Sequence, residues 1–304
     1  MAFTAADVKN LREMTGVGMM DCKKALVASD GDMDKAIEFL REKGLAASAK
    51  KAGRIAAEGM AFATVIDGVG VVVEVNAETD FVGKNEKFVE FVKGVAATVV
   101  ANKPADLDAL MACKYADTDK TVTEQQQEMV LVIGENIKVR RFARFADGVS
   151  VPYIHAGGKI GVLVNLEVTG GIDATEIGKD VAMQIAALNP RFWDKSQVTQ
   201  DVLDEEKKIM MVQMANDPKM ANKPEQVREK IVLGKLNKFY AENCLLQQEF
   251  VKDNSMSVEK YIAAAAKALG GTVTFKNAVR FEKGEGIEKK QENFADEIAK
   301  MVKG

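Results

Sequence analysis

The sequence predicts an α+β fold in which two related units each combine a small antiparallel sheet with helices. The first evidence is a change of hydrophobic period near residue 60, from about 3.6 to about 2. The second is a repeat, because GVVVEVN at 70–76 returns as GVLVNLE at 161–167, each inside a hairpin that a helix follows. A chain of 304 residues can hold two or three such units.

The segment before the first strand predicts three helices over residues 4–43. Thr4 is a candidate N-cap, Gly16, Gly18 and Gly31 separate the helices, and Gly44 is expected to end the third. The small, basic segment LAASAKKAGRIAAEG is expected to be a partly helical linker. We assign residues 1–54 to this unit and its linker. The apolar stripes are Val8, Leu11 and Met14, then Cys22, Ala25 and Leu26, then Met33, Ala36, Ile37 and Leu40.

The first sheet unit is assigned to residues 55–146. Its strands MAFATVI and GVVVEVN flank a DGV turn, which is typical of a hairpin. A helix is predicted from about residue 86 to residue 100, and a second helix through EQQQEMVLVIG leads to the strand IKVRRFARF.

The second sheet unit, assigned to residues 147–285, repeats this order. VSVPYIHA and IGVLVNLEV flank GGK, a helix is predicted over about 174–188, and SVEKYIAAAAKALGG leads to TVTFKNAVRF. An insertion at about 196–242 predicts a helical hairpin that turns at Asp217-Pro218, with near-heptad spacing of Val198, Val202, Ile209 and Val212. This hairpin is either a plain surface feature or a coiled-coil arm for interaction or dimerisation. Residues 286–304 are assigned to a C-terminal helical module, in which EKGEGIEKK is expected to end as a loop before the short helix QENFADEIAKMVKG.

The composition excludes several classes of function. A net charge of −3 supplies no basic field for a phosphate backbone, so nucleic acid is not an expected partner. The three cysteines lie far apart and form no CxxC pair, which fits a reducing compartment. The segment MAFTAADVKNLREMTG has no apolar core of a signal peptide, and no apolar run reaches the ~18 residues of a membrane span. We expect a cytoplasmic protein.

Motifs of catalysis and nucleotide binding are missing from the sequence. It contains no HExxH, GxSxG or P-loop, and GVGVVV precedes a strand, whereas a Rossmann glycine loop follows one. The single histidine, His155, cannot build a histidine-rich metal site. We therefore expect no enzyme, no catalytic residue, no metal site, no cofactor and no direct nucleotide binding.

Two stretches place apolar side chains where contact with a partner is plausible. Met19 and Met20 stand at the start of a predicted helix, and exposed methionines suit adaptable contacts, although methionine is more often a core residue. Phe81 lies in NAETDFVGKNEKF, between a buried strand and a helix, in a loop that is otherwise polar. The residues alone leave two alternatives for Phe81, a core side chain near a turn or a side chain that enters another molecule.

Four segments together resemble the elongation factor Ts family, the guanine-nucleotide exchange factors of the translation GTPase elongation factor Tu. They are LREMTGVGMMDCKKAL, EVNAETDFV, IGENIKVRR and RFEKGEGIEK, in the family's order and over nearly the full length. The resemblance in residues 190–260 is one of pattern more than of letters. The family resemblance as a whole implies that the first unit is a three-helix ubiquitin-associated-like module.

The resemblance also implies a binding site. Thr79, Asp80, Phe81 and Val82 match the family's second signature, and Asp80 and Phe81 are expected to enter elongation factor Tu near its magnesium ion. This favours the second alternative for Phe81.

Further contacts with elongation factor Tu are implied for other parts of the chain. Met19 and Met20 belong to the N-terminal module, which is expected to grip the GTPase domain. His155 is expected near a contact with another domain of Tu, and Phe294 lies on the C-terminal helix, which is expected to pack against the GTPase domain.

The function that the resemblance implies is exchange. The chain would bind Tu with GDP, disturb its magnesium and phosphate site, and promote GDP release so that GTP can bind. The alternative is an interaction adaptor without exchange activity. An RNA-binding accessory factor is disfavoured by the net charge of −3.

Overall fold

The computed structural model of the chain describes residues 3–217 and 224–288, and within them it confirms the predicted α+β fold. The predicted C-terminal helix QENFADEIAKMVKG, with Phe294, lies outside the described residues.

The N-terminal helices are α1 (Ala5–Thr15), α2 (Met19–Ala28) and α3 (Met33–Lys51). Thr4 caps α1 as predicted, since its hydroxyl accepts from the Asp7 amide while the Asp7 carboxylate accepts from the Thr4 amide at 2.7 Å. The helices bury a core of their own that includes Val8, Leu11, Cys22, Leu26 and Leu40.

The prediction that Gly44 ends the third helix is wrong, because α3 continues to Lys51. A glycine inside a helix costs about 1 kcal/mol relative to alanine. Here Gly44 is buried against the helix α6 (Val122–Ile133), and the neighbouring Leu131 packs on the N-terminal core. Packing between α3 and α6 offsets the penalty, and the partner helix is not visible in the local sequence.

The first sheet unit contains β1 (Glu58–Ile66), β2 (Val69–Ala77), α4 (Glu86–Asn102), α5 (Leu107–Ala112), α6 and β3 (Lys138–Phe145). The strands are antiparallel in the order β1-β2-β3. The predicted hairpin turns at Asp67 and Gly68, whose φ angles of 50° and 78° suit the two central positions of a type I′ turn.

The second sheet unit contains β4 (Val149–His155), β5 (Ile160–Thr169) and α7 (Thr175–Leu188). After the inserted hairpin it continues with β6 (Glu249–Phe250), β7 (Asp253–Ser257), α10 (Val258–Ala268) and β8 (Thr272–Glu282). Its main sheet has the order β4-β5-β8, so the third strand pairs with the second in both units. The repeat extends to a register shift, which falls between Glu74 and Val75 in β2 and between the equivalent Asn165 and Leu166 in β5.

The two sheets pack face to face between layers of helices. Val71, Val73 and Val75 face α4, whereas Val72 meets Leu163 of the other sheet. β2 is therefore buried on both faces, which explains its unbroken run of valines.

The inserted hairpin consists of α8 (Gln200–Asn216) and α9 (Glu225–Asn243). Val198 and Val202 pack at its base, but Ile209 and Val212, the outer half of the predicted stripe, are 44% and 56% exposed. Met210 packs in the cluster at the base and Met214 is buried instead. Near-heptad spacing therefore identified the packed side chains at the base of the hairpin, Val198 and Val202, but not those farther along α8.

One carboxylate is fully buried between the sheets. The side chain of Glu74 accepts hydrogen bonds from the Gly284 amide at 2.8 Å, Arg140 Nη1 at 2.9 Å, Asn76 Nδ2 at 3.0 Å and Arg141 Nε at 2.5 Å. Glu74 thereby fixes the loop after β8, at the other end of the chain, on the first sheet.

The protonation of Glu74 follows from these contacts. Burial raises the pKa of this carboxyl, but the hydrogen bonds from Gly284, Arg140, Asn76 and Arg141 outweigh burial and hold its pKa below the ordinary value of 4.5. The charged form is therefore the one that the fold stabilises.

We expect Glu74→Ala to lower the free energy of unfolding at pH 7 by about 3 kcal/mol, because it leaves the buried Gly284 amide without its acceptor and removes a buried carboxylate partner from Arg140 and Arg141. A carboxyl whose pKa is lower in the folded state stabilises the fold fully at pH values above its unfolded-state pKa, here 4.5. This stabilisation is lost as the pH falls through the folded-state pKa. The difference between wild type and variant should therefore shrink below pH 4.5.

Urea unfolding from pH 7 to about pH 3 measures both effects. Glu90→Ala, at an exposed position on α4, is the control and should change stability by less than about 0.5 kcal/mol. A pH-independent difference for Glu74→Ala would show that the charge of Glu74 contributes nothing.

Candidate functional site

The loop between β2 and α4 contains the four residues predicted to bind a partner. β2 ends at Ala77, a short 3₁₀ turn covers Val82–Lys84, and α4 begins at Glu86. The Asn85 side chain caps α4 by accepting from the amides of Lys87 at 3.0 Å and Phe88 at 3.3 Å. The connection is therefore short and fixed at the end that leads into the helix.

Phe81 and Val82 are neighbours with opposite environments. Val82 is 5% exposed and packs in the core beneath α4, whereas Phe81 is 80% exposed. Thr79 and Asp80 are also exposed. The structure thus rules out the first alternative for Phe81, because this side chain is not part of the core.

The start of the loop is held by the turn between α6 and β3. The Glu135 carboxylate accepts from the amides of Glu78 and Thr79 at 3.0 and 2.9 Å and from the Thr79 hydroxyl at 2.6 Å. The Glu78 side chain accepts in turn from the Asn136 amide at 2.6 Å. These contacts join segments that are 56 to 58 residues apart.

The N-terminal helices present a second apolar surface close to this loop. Met19 and Met20 begin α2 and are 51% and 65% exposed. Lys87, in the first turn of α4, donates from Nζ to the carbonyl of Gly16 at 3.3 Å. This contact brings the turn before α2 next to the helix that follows the Phe81 loop.

His155 ends β4 at the tip of the second hairpin. Its Nδ1 lies 3.2 Å from the hydroxyl of Tyr153, and both side chains are at the surface. The hairpin tip contacts β1, because a Cβ on Gly158 would lie 2.7 Å from Met60 Cγ. Gly59, which precedes Met60 in β1, contacts the Phe81 loop, because a Cβ on Gly83 would lie 2.8 Å from the carbonyl oxygen of Gly59. His155 and the Phe81 loop therefore lie at the same end of the paired sheets.

Sequence reasoning missed two features of this region. Met14, assigned to the core of the first unit, is 60% exposed near the end of α1. No role was assigned to Glu135, although it lies within IGENIKVRR, one of the segments that carry the family resemblance. The resemblance marks that segment, but only the fold shows that Glu135 reaches Thr79. Phe294 lies outside the described residues.

Two buried cysteines and the acidic side chains were the remaining candidates for reactive or metal-binding groups in the described residues. Burial raises the pKa of the Cys22 thiol, and burial beside Asp194 raises that of Cys244 to about 11, so both thiols are protonated at neutral pH. No group of three or more His, Cys, Asp or Glu side chains in residues 3–217 and 224–288 is placed to hold a metal ion.

Over the part of the chain that the structure describes, no helix combines the length and the apolar character needed to cross a bilayer.

Comparison with known proteins gives one consistent result. The family model described as "Elongation factor TS" matches residues 78–285. Among curated relatives, each named "Elongation factor Ts", the protein of Syntrophotalea carbinolica is 48% identical over 100% of both chains. The relative from Clostridium kluyveri is 49% identical over 99% of both chains, and one from Clostridium perfringens is 50% identical over 98% of both.

Phe81 and Val82 give a paired test of the geometry. Phe81→Ala should change the free energy of unfolding by less than about 1 kcal/mol, because the ring is already in water. Val82→Ala should lower it by about 2 kcal/mol, because it removes buried methyl groups and leaves a cavity. Equilibrium unfolding of both variants measures the difference, and a larger loss for Phe81→Ala than for Val82→Ala would contradict the exposed position of the ring.

Proposed function

The chain belongs to the elongation factor Ts family, which implies nucleotide exchange on elongation factor Tu, and we propose that it promotes GDP release by inserting Phe81 beside the magnesium site of this GTPase. The observation that carries the proposal is the 80% exposure of Phe81 next to the buried Val82. A phenylalanine in water forgoes about 1.5–3 kcal/mol of burial free energy, which contact with a partner recovers.

The proposed action needs no chemistry from the chain itself. GDP is typically held by backbone amides, a helix N-terminus and Mg²⁺. Phe81 and the exposed carboxylate of Asp80 would disturb the ion and the phosphate loop when they enter that site. The protein therefore acts as an exchange factor without a catalytic residue, a cofactor or a metal of its own.

Coupling between the two ligands of Tu completes the cycle. If this chain weakens the binding of nucleotide to Tu, nucleotide must weaken the binding of this chain by the same factor. GTP, which is taken up after GDP has left, would therefore release the chain. No direct binding of nucleotide to the chain is required.

Other surfaces are proposed to support the same contact in the cytoplasm. Met19 and Met20 supply adaptable apolar side chains near α4, and His155 is proposed to touch a second domain of Tu. Phe294, outside the described residues, is proposed to add a contact from the C-terminal segment. Neither a membrane nor a nucleic acid is part of the proposal.

We expect Phe81→Ala to slow catalysed GDP release from Tu by about 30- to 1000-fold, the loss of roughly 2–4 kcal/mol that an interface anchor contributes. Asp80→Ala should act in the same direction with a smaller effect, since an exposed carboxylate is screened. Stopped-flow release of fluorescent GDP measures both.

A matched control is Leu269→Ala, which also removes an exposed apolar side chain, 53% exposed, at the end of α10 in the second unit. It should leave exchange unchanged. If wild type binds Tu without accelerating GDP release, the chain is an adaptor and the proposal fails.

Calorimetry provides an independent test. The free chain should give no heat of binding with GDP or GTP, because it has neither a P-loop nor a Rossmann glycine loop. Titration of Tu under the same conditions is the positive control. A micromolar dissociation constant for the chain alone would contradict a mechanism that acts only through Tu.

A further inference from the structure

We propose that Glu135 is a positioning residue, which holds the loop from Glu78 to Phe81 in the conformation that presents the Phe81 ring to a partner. The inference rests on the proposed function, because Glu135 would act through the position of Phe81.

The geometry at Glu135 is that of a clamp on a loop. A single carboxylate accepts from two consecutive amides, at Glu78 and Thr79, and from the Thr79 hydroxyl, with distances of 2.6 to 3.0 Å. Hydrogen bonds to a carboxylate are roughly twice as strong as those between neutral groups. The two amides directly follow the last residue of β2, so no strand partner is available to orient them.

The clamp is reciprocal. While Glu135 binds the backbone of the loop, Glu78 accepts from the amide of Asn136 at 2.6 Å, and Asn136 Nδ2 donates to the Arg54 carbonyl at 2.8 Å. The loop and the turn between α6 and β3 therefore fix one another, and the segment before β1 joins them.

The other end of the loop is anchored by burial. Val82 is 5% exposed beneath α4, and the Phe81 carbonyl accepts from the Lys84 amide at 3.1 Å. The two residues between these anchors, Asp80 and Phe81, both expose their side chains to water. Among the described residues, Asp80 has neither a hydrogen bond nor an ion pair.

Anchoring at both ends has a consequence for binding. A side chain and its loop lose conformational freedom when they enter a partner, and this loss weakens the association. A loop that is already ordered loses less, so the contribution of Phe81 to binding depends on the clamp. Glu135 would then affect the affinity for Tu without touching it.

A merely structural role for Glu135 gives a different pattern, and a double-mutant cycle separates the two. Glu135→Ala should weaken binding to nucleotide-free Tu by about 10- to 30-fold, the effect of losing one charged hydrogen bond's contribution to loop order. In a protein that already carries Phe81→Ala, Glu135→Ala should weaken binding by less than about twofold, because the ring that Glu135 positions is absent.

A graded series and a control accompany the cycle. Glu135→Gln keeps one acceptor oxygen, so its affinity for Tu should fall between those of wild type and Glu135→Ala. Thr79→Val removes the hydroxyl that donates to Glu135 and should weaken binding less than Glu135→Ala does. Glu128→Ala removes a carboxylate from α6 that pairs with Lys120, away from the loop, and should leave the affinity unchanged. Thermal melting of each variant checks that the fold is intact.

The order of the loop can be measured without Tu. With 4-fluorophenylalanine at position 81, the fluorine resonance should report faster or more heterogeneous motion in Glu135→Ala than in wild type or Glu128→Ala. If wild type fails to accelerate GDP release, the proposed function fails, and this resonance still tests the clamp. An equal loss of affinity in both backgrounds of the cycle, or an unchanged resonance, would overturn the role of Glu135.

Discussion

The buried carboxylate of Glu74 is the interaction on which the assembly of the two sheets depends. Two antiparallel sheets that pack face to face bury both sides of their central strands, so any polar group between them needs partners from the protein. Glu74 obtains them from its own sheet, through Arg140 and Arg141, and from Gly284 at the far end of the described chain. This buried charge thereby joins the loop after the second unit to the first unit, beside the ion pairs Arg141–Glu285 and Lys283–Glu58.

The internal repeat shows why the strand-to-helix loop is a candidate site in the first copy and not in the second. The two units share strand order and register shift, yet the position of Glu74 is occupied by Asn165 in the second unit, which donates to the carbonyl of Asp147 instead. The loop after β5 also differs, since its apolar residue Ile172 packs against the core, whereas Phe81 after β2 is exposed. The fold supplies two equivalent strand-to-helix loops, and the side chains make only one of them a candidate site.

The sequence predicts those features whose causes are local. The N-cap at Thr4, the Asp67-Gly68 turn and the switch of hydrophobic period depend on neighbouring residues, and the structure confirms each. The continuation of α3 through Gly44 depends on packing with another helix, so the local pattern gave the wrong end for α3. The packing of α8 on α9 also depends on the partner helix, and the local spacing gave only its base correctly. The exposure of Phe81 falls between these cases, because the residues left two alternatives that only the family resemblance and then the fold could separate.

The candidate site is the clearest example of a feature that no local pattern contains. Its exposed pair, Asp80 and Phe81, is adjacent in sequence and could be found there. What keeps that pair in place is a carboxylate 56 residues from Thr79, on a turn that β3 brings alongside β2. The same β2–β3 pairing carries Glu74 and its arginines, so the contacts that assemble the sheets also bring Glu135 to the loop. Stability and presentation of Phe81 are therefore linked through one strand pair, and the exposed ring is the product of long-range packing as much as of its own sequence.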